Sequence, residues 1–138
     1  MTIDDGWSQY DRGCELFRAR KFAESASSFE ASAAVLTNER DPWYNLGIAC
    51  LHEGDRIGGL HVETDGLRVV SPNDRWYIRA IEALTRALEI EPTYTPALVM
   101  RGHARRNRLD TDLARADWTA AQRMGDPHAA KLLAQLNG

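Results

Sequence analysis

The side chains that could ligate a metal ion or act as a nucleophile or base include those of Cys14, Cys50, His52 and His103. Cys50 and His52 are two positions apart in a segment with helical periodicity, so their side chains diverge and cannot share one metal ion. Cys14 could meet His52 and His103 only through the tertiary fold, because the sequence has none of the ligand spacings of known metal motifs. Spacing identifies no nucleophile–base pair either. We therefore expect no metal, no cofactor and no enzymatic activity.

A basic cluster that could bind phosphate or an acidic partner consists of Arg101, Arg105, Arg106 and Arg108. Residues 95–128 hold six arginines and four aspartates, a local charge of +2. The alternative is a solvated helix face whose arginines pair locally with Asp110 or Asp112. We favour this second interpretation and expect no nucleic-acid partner.

The composition of the 138 residues is that of one folded domain, since 43% are hydrophobic and 27% are charged. The net charge of −3 argues against a surface built for nucleic acid or anionic membranes. Two cysteines do not make a disulfide framework, which fits a reducing compartment. We expect no secretory signal in the acidic N-terminus and, without a run of 18 apolar residues, no membrane span. The expected location is the cytoplasm.

A repeat of 34 residues organises the chain. Gly13 and Gly47 are 34 residues apart, and Gly47 and Gly102 are 55 apart, which is 34 plus an interruption of 21. The same spacing of 55 and 34 recurs in three further sets, which are Ser25, Ala80 and Ala114; Phe29, Leu84 and Trp118; and Ser32, Ala87 and Ala121. The agreement predicts three structural repeats, the second of which contains the additional residues 56–76.

Each repeat has the pattern of two helices. In the second repeat, Asp41 and Pro42 provide a cap and a first-turn proline for one helix. The other helix is predicted from about Arg75 to Glu91, and Pro92 ends it. Glycine in the first helix and small residues in the second let the two backbones approach closely.

The clearest family signature is found in Trp43-Tyr44-Asn45-Leu46-Gly47-Ile48-Ala49, Ala80-Ile81-Glu82 and Ala87-Leu88-Glu89-Ile90-Glu91-Pro92. On these residues the chain resembles the tetratricopeptide repeat (TPR) family over about residues 6–128, with some Sel1-like character over residues 114–132. Arg12 and Arg101 depart from the family pattern, which usually has leucine before the signature glycine.

The resemblance implies an all-α fold, a right-handed solenoid of three TPR-type helical hairpins with a C-terminal capping helix. The implied single domain over residues 1–138 comprises repeat 1 (about 6–39), repeat 2 (about 40–94), repeat 3 (about 95–128) and the capping helix (about 126–137). Asp126 would cap this last helix and Pro127 would be its first residue.

In TPR domains the first helices of the repeats line a concave groove, which is the candidate binding site here. Its residues would be Trp7, Tyr10, Cys14, Phe17, Tyr44, Asn45, Ile48, His52, Val99, Met100, His103 and Arg106. This mainly aromatic and aliphatic lining suits an apolar or amphipathic peptide segment of another protein. The alternative for Trp7, Phe17 and Ile48 is packing between neighbouring helices.

One TPR binding mode grips the terminal carboxylate of a peptide with lysines, asparagines and an arginine. The corresponding positions here are Tyr10, Cys14, Asn45, Pro96 and Met100. Only Asn45 agrees, and without the cations nothing offsets the desolvation of carboxylates. We therefore expect the chain not to use this mode.

The 21 inserted residues, 56–76, are predicted to form a β-hairpin around the turn signal Asp65-Gly66. The expected pairs are Thr64 with Leu67, Glu63 with Arg68, Val62 with Val69 and His61 with Val70. The apolar face of this hairpin would consist of Leu60, Val62, Leu67 and Val69. That face either folds back onto the helices, which we favour, or forms an interface with a partner or a second copy.

The patterns and the resemblance together favour a non-catalytic protein-interaction module, a small adaptor or chaperone that binds a partner's peptide segment in the groove. Tyr44, Ile48 and Met100 would supply apolar contacts, and Asn45 would hydrogen-bond the peptide backbone. The alternative is a self-assembling structural protein, a homodimer formed through the inserted hairpin or the end of the solenoid.

Overall fold

The computed structural model describes residues 1–58, 61–62, 69–70 and 72–137. Within these residues the chain forms, in order, α1 (Ile3–Arg18), α2 (Phe22–Val35), α3 (Arg40–Ile57), β1 (His61–Val62), β2 (Val69–Val70), α4 (Asp74–Ile90), α5 (Thr95–Asn107), α6 (Thr111–Arg123) and α7 (Ala129–Asn137).

The helices stack as successive antiparallel hairpins. From α1 to α7, each helix packs against the helix before it and the helix after it, and α3 also contacts α5. The second helices of neighbouring hairpins meet as well, because Arg79 of α4 pairs with Glu30 of α2 at 2.7 Å. The result is a helical solenoid in which α1, α3 and α5 form one layer.

The repeated glycines lie where the two helices of a hairpin touch. The pairs in contact are Gly13 with Phe29, Gly47 with Leu84 and Gly102 with Trp118. A Cβ atom on Gly13 would lie 2.7 Å from the Phe29 ring, and one on Gly47 would lie 2.6 Å from Leu84 Cγ. Phe29, Leu84 and Trp118 are themselves at most 2% exposed. The spacing of 34 residues therefore marks one large side chain packed on one glycine in each hairpin.

The turns between paired helices differ between repeats. Arg20 follows α1 with a φ of 61°, and Leu109, at the equivalent position of the third repeat, follows α5 with a φ of 67°. The equivalent residue of the second repeat is Gly54, which stays helical. Helix α3 therefore continues to Ile57 and ends at Gly58, whose N–H donates to the Gly54 carbonyl at 3.0 Å and whose φ is 57°.

The expectation of a 21-residue β-hairpin-like insertion over residues 56–76 is corrected by the structure, because α3 extends into this segment. Helix α3 occupies its first residues and α4, from Asp74, its last ones, so the chain is helical at both ends of the segment. The β structure among the described residues is one antiparallel pair of two-residue strands, with His61 opposite Val70 and Val62 opposite Val69. The prediction of a hairpin as long as the whole insertion is therefore wrong.

Several parts of that prediction lie outside the described residues. They are the turn at Asp65-Gly66, the pairs Thr64–Leu67 and Glu63–Arg68, and the side chains of the expected apolar face at Leu60, Val62, Leu67 and Val69.

The C-terminal helix α7 covers the end of the stack. Asp126 Oδ1 accepts hydrogen bonds from the N–H groups of His128 (2.9 Å) and Ala129 (3.2 Å), and the helix begins at Ala129 rather than at Pro127. Ala129 is fully buried and Leu132 packs beside it against the core. In the described part of the chain, no helix combines the length and the apolarity needed to cross a membrane.

Candidate functional site

Helices α1, α3 and α5 carry the residues of the candidate groove and are joined to one another by side-chain hydrogen bonds. Asn45 Nδ2 of α3 donates to the Tyr10 hydroxyl of α1 at 2.9 Å. At the other end of α3, Asn107 Nδ2 of α5 donates to Asp55 Oδ1 at 3.1 Å. The predicted residues of α1 and α3 are thus brought into direct contact, with α5 beside them.

Tyr10 is the centre of the aromatic contacts near the start of α1. Its ring centroid lies 5.5 Å from that of Trp7, in an edge-to-face arrangement, and 5.5 Å from that of Phe29. Trp7 remains 37% exposed, so its ring contributes open apolar surface. Burial raises the pKa of Tyr10 to about 12, so the hydroxyl that holds Asn45 stays protonated at neutral pH.

A second aromatic cluster joins the other end of α1 to α2 and α3. The His52 ring stacks on Phe22 at a centroid distance of 5.0 Å and meets Phe17 edge-on at 5.1 Å. Phe22 is buried, Phe17 is half-buried and His52 is exposed. Phe17 therefore packs between helices, and part of its surface stays exposed.

Between these two clusters lies a cavity of about 150 Å³, and three of the residues predicted for the groove line it. It is lined by Cys14, Phe17, Arg18, Phe29 and Asn45. Two rings and a thiol make most of its wall apolar, whereas Arg18 and Asn45 supply polar groups. A cavity of this size can take one aliphatic side chain.

Tyr44 is held on the α3 side of the groove by a neighbouring ring. It meets Tyr94 edge-on at 5.1 Å, and the Arg40 guanidinium lies over the other ring, 3.8 Å from the centroid of Tyr94. Arg40 also pairs with Asp41 at 2.7 Å and with Glu91. Burial raises the pKa of Tyr44 to about 12, so this half-buried ring is a neutral contact surface at physiological pH.

Helix α5 contributes less to the groove than expected. Val99 is only 8% exposed and packs in the core, and its carbonyl accepts a hydrogen bond from Trp118 Nε1 at 3.0 Å. It is therefore a core residue and not part of an open lining. Met100 and, on α3, Ile48 are half-buried and keep part of their surfaces.

The last turns of α5 surround the Trp118 ring with a histidine and an arginine. His103 meets this ring edge-on at 5.4 Å, and Arg106 lies over it at 5.5 Å. Burial, together with the positive charge of Arg106, lowers the pKa of His103. His103 is thus mostly neutral at physiological pH and offers a ring rather than a charge to a ligand.

The thiols are placed for packing rather than for nucleophilic chemistry. Burial raises the pKa of Cys14, and it raises the pKa of the fully buried Cys50 to about 11, so both stay protonated at neutral pH. Among the residues described, no three histidine, cysteine, aspartate or glutamate side chains converge in a way that could hold a metal ion. The arrangement is equipped to bind by contact and hydrogen bonding.

Two of the four arginines in the basic cluster of α5 pair with a buried carboxylate that the sequence did not single out. Asp117 of α6 is 3% exposed and accepts two hydrogen bonds from Arg101, at 2.7 and 3.0 Å, and one from Arg105 at 2.9 Å. A third arginine of the cluster, Arg108, pairs with Asp74 at 2.7 Å and with Asp110 at 3.3 Å. The signal for this network was Arg101 itself, an arginine where the repeat usually has leucine.

A polar network that carried no signal in the sequence lies where α3 and α5 end and α4 begins. Asp55 Oδ1 accepts hydrogen bonds from the Tyr77 hydroxyl at 2.6 Å and from Asn107 at 3.1 Å. Asn73 Nδ2 donates to the Gly54 carbonyl at 3.2 Å. These bonds tie the ends of α3 and α5 to the start of α4 across separations of up to 52 residues.

No family model matches the sequence, and no curated protein matches it either. Solved structures do. The first TPR domain of Spaghetti (RPAP3), bound to an HSP90 peptide, superposes with a TM-score of 0.77 and 14% identity over 99% of this chain and 94% of that one. The second TPR domain of human RPAP3, in complex with an HSP70 peptide, gives a TM-score of 0.77 and 18% identity over 97% and 96% of the two chains.

A third neighbour is the type III secretion chaperone SycD of Yersinia enterocolitica in complex with a peptide of the translocator YopD. Its TM-score is 0.69, with 11% identity over 95% of this chain and 86% of that one. The Sel1-like character expected near the C-terminus stays a prediction. The agreement in fold over nearly the whole length, together with the glycine contacts of each hairpin, leads to one conclusion: the chain has the tetratricopeptide repeat fold.

Proposed function

We propose that this protein is a non-catalytic adaptor or chaperone that binds a peptide segment of a partner protein in the groove of α1, α3 and α5. The observation that carries the proposal is the cavity of about 150 Å³ that three of the predicted groove residues line, between half-exposed aromatic side chains. A concave, largely apolar site with a few polar groups is typical of peptide recognition. The two free cysteines agree with a reducing, cytoplasmic location.

The ligand that suits this lining is apolar or amphipathic. Trp7 and Tyr44 provide rigid rings whose burial contributes affinity, and an aliphatic side chain of the peptide would enter the cavity beside Phe17. Asn45 is positioned by Tyr10 and by the Asp41 carbonyl, to which it donates at 3.1 Å. Its amide oxygen, which accepts no hydrogen bond from the described residues, would accept one from a peptide N–H.

The neighbours with bound HSP90 and HSP70 peptides support peptide binding by this fold. Their ligands are not carried over to this chain. The five positions that could grip a terminal carboxylate, Tyr10, Cys14, Asn45, Pro96 and Met100, include no cation. We therefore propose an internal apolar or amphipathic segment as the ligand, as opposed to an acidic C-terminus.

The test is capture of partners from a native lysate by the wild type and by two folded double variants. Tyr44→Ala/Asn45→Ala removes a ring and an amide from the groove, whereas Ile78→Ala/Glu89→Ala makes a comparable change on exposed residues of α4. Circular dichroism and thermal unfolding establish that all three are folded. We expect a partner retained by the wild type and the α4 variant, with its affinity at least about tenfold lower for the groove variant.

Retention of the partner by the groove variant would contradict the proposal. If no partner is captured and sedimentation shows a stable dimer of the wild type, the protein is instead self-assembling.

A further inference from the structure

A second pocket lies on the layer of the second helices, away from the candidate groove. Its volume is about 330 Å³. It is lined by Glu30 and Ala34 of α2, Trp43 and Leu46 of α3, and Arg79, Glu82 and Ala83 of α4. We call it the back pocket. None of the residues predicted for the groove lines it.

The floor of the back pocket is apolar and its aromatic wall is fixed. Leu46 is 6% exposed and Ala83 is 3% exposed, and both belong to the core beneath the pocket. The indole N–H of Trp43 donates to the Thr37 carbonyl at 2.9 Å, which holds the ring at the side of the cavity. Because α2 and α4 contribute alanines, Ala34 and Ala83, the space above this floor stays open.

The rim of the back pocket carries an excess of negative charge. Arg79 is already engaged, since it pairs with Glu30 at 2.7 Å and lies 4.6 Å from the centroid of the Trp76 ring. Glu82, by contrast, makes no hydrogen bond or ion pair with any described residue. The three charged lining residues leave a net charge of −1, and the carboxylate of Glu82 is available to a ligand.

We propose that the back pocket receives an arginine side chain from a protein partner. An aliphatic stem would lie on Leu46 and Ala83, and the planar guanidinium would stack on Trp43 and hydrogen-bond Glu82. A cavity of about 330 Å³ holds one long side chain rather than a whole helix. Arginine fits better than lysine, because its head group is flat and can bond a carboxylate through two N–H groups.

The experiment titrates the isotope-labelled protein with three probes and follows the Trp43 indole N–H and the Glu82 amide by nuclear magnetic resonance. The probes are the blocked tripeptide Ala-Arg-Ala, the same tripeptide with neutral citrulline in place of arginine, and agmatine, which has the guanidinium without a peptide backbone. We expect saturable shifts with the arginine tripeptide and at least fivefold weaker binding of the citrulline tripeptide.

Two variants test the pocket itself. Glu82→Gln removes the available charge and should weaken the arginine tripeptide about three- to tenfold. Ala34→Leu fills the cavity from an exposed helix position and should abolish the shifts without unfolding the protein. Glu89→Gln, the matched control, makes the same charge change on α4 outside the pocket and should leave the affinity unchanged.

Equal binding of the citrulline tripeptide, or unchanged affinity of Glu82→Gln, would overturn the proposal. Agmatine binding more tightly than the tripeptide would also overturn it, since the occupant would then be a free amine rather than a protein side chain.

Discussion

At the scale of single residues, a buried polar network fixes α5, one of the three helices that bear the candidate groove. Asp117 receives three hydrogen bonds from two arginines of α5, and Arg101 also donates to Thr85 of α4 at 3.1 Å. Asp117 therefore joins α6 to α5, and Arg101 extends the network to α4. Removing it would leave guanidinium groups that are only 17% and 18% exposed without a counter-charge.

We accordingly expect Asp117→Asn to lower the free energy of unfolding by about 3 kcal/mol, because it leaves the charges of Arg101 and Arg105 without a counter-charge in a largely buried site. Urea denaturation at neutral pH measures the change. Asp112→Asn is the control, since that carboxylate is 98% exposed in its pair with Arg115 and should matter by less than about 0.5 kcal/mol. Similar small effects of both substitutions would argue against the network.

His103 should make stability depend on pH. Its pKa in the folded protein is lowered by burial and by Arg106, with Asp55 acting in the opposite direction. Below the ordinary histidine pKa of about 6.5, the unfolded chain therefore binds more protons at this residue than the folded chain. Stability falls as the pH falls through that window.

Urea midpoints at pH 7.5 and pH 5.5 provide the test of this pH dependence. The wild type should lose more stability between them than His103→Gln. An equal loss in both proteins would mean that His103 does not titrate as described.

At the scale of helices, the close approach of the two helices in each hairpin depends on a glycine in one helix that faces a large side chain in the other. In the second repeat, Leu84 is fully buried and its Cγ occupies the space that a Cβ on Gly47 would need. Leu84→Ala should cost about 2–5 kcal/mol through the cavity it leaves. Gly47→Ala should cost about 1–3 kcal/mol through crowding.

The double variant Gly47→Ala/Leu84→Ala tests whether the effects of the two substitutions come from one shared contact or are independent. With alanine at position 84, the new Cβ at position 47 has room. The double variant should therefore lose less unfolding free energy than the two single variants lose together, by about 1 kcal/mol or more. Thermal and urea unfolding of the four proteins give the cycle. Additive costs, or an unchanged thermal midpoint for Leu84→Ala, would show that the two helices do not meet at this pair.

The turn after α5 should be more stable with glycine at position 109 than with the leucine that is present there. Leu109 has a φ of 67°, which disfavours a side chain, and it is 85% exposed, so it contributes little packing. We expect Leu109→Gly to stabilise the protein by about 0.5–1 kcal/mol, as a rise in the thermal midpoint. Leu109→Ala keeps the Cβ and should give no gain; a gain as large as that of glycine would point to the loss of an exposed leucine instead.

The periodic parts of these elements could be predicted from sequence, and the irregular parts could not. The spacing of Gly13, Gly47 and Gly102 located the hairpins, because the same contact recurs in each. The extension of α3 past Gly54 was missed, since a glycine at a turn position gives no sign that it stays helical under the Tyr77 ring. The burial of Val99 was missed because spacing assigns a residue to a helix face but does not show whether neighbouring elements cover it.

At the scale of the whole molecule, the two layers of the solenoid differ in chemistry. The layer of α1, α3 and α5 presents aromatic rings around a small apolar cavity, and the layer of α2 and α4 presents the back pocket with its carboxylates. The basic cluster of α5 does not add a third surface, because Asp117, Asp74 and Asp110 pair with three of its arginines. One chain could therefore engage a partner on both layers.

Polar pairs between residues far apart in the sequence determine which charged groups are left on each layer, and the sequence did not reveal these pairs. Asp117 with Arg101, and Asp55 with Asn107, connect residues whose proximity follows only from the stacked helices. For the same reason, the candidate groove could be predicted as a set of helix faces, whereas its cavity and the position of Asn45 against Tyr10 required the structure.

We propose that the layer of α1, α3 and α5 binds an apolar or amphipathic peptide segment. The most direct measurement selects peptides from a random displayed library on the wild type, with the folded Tyr44→Ala/Asn45→Ala variant as the counter-selection. The peptide so enriched is then mapped on the labelled protein by chemical-shift changes. We expect apolar or amphipathic peptides that shift mainly the signals of Tyr10, Phe17, Tyr44 and Asn45. Shifts confined to α2 and α4, or peptides that bind both proteins equally, would contradict it.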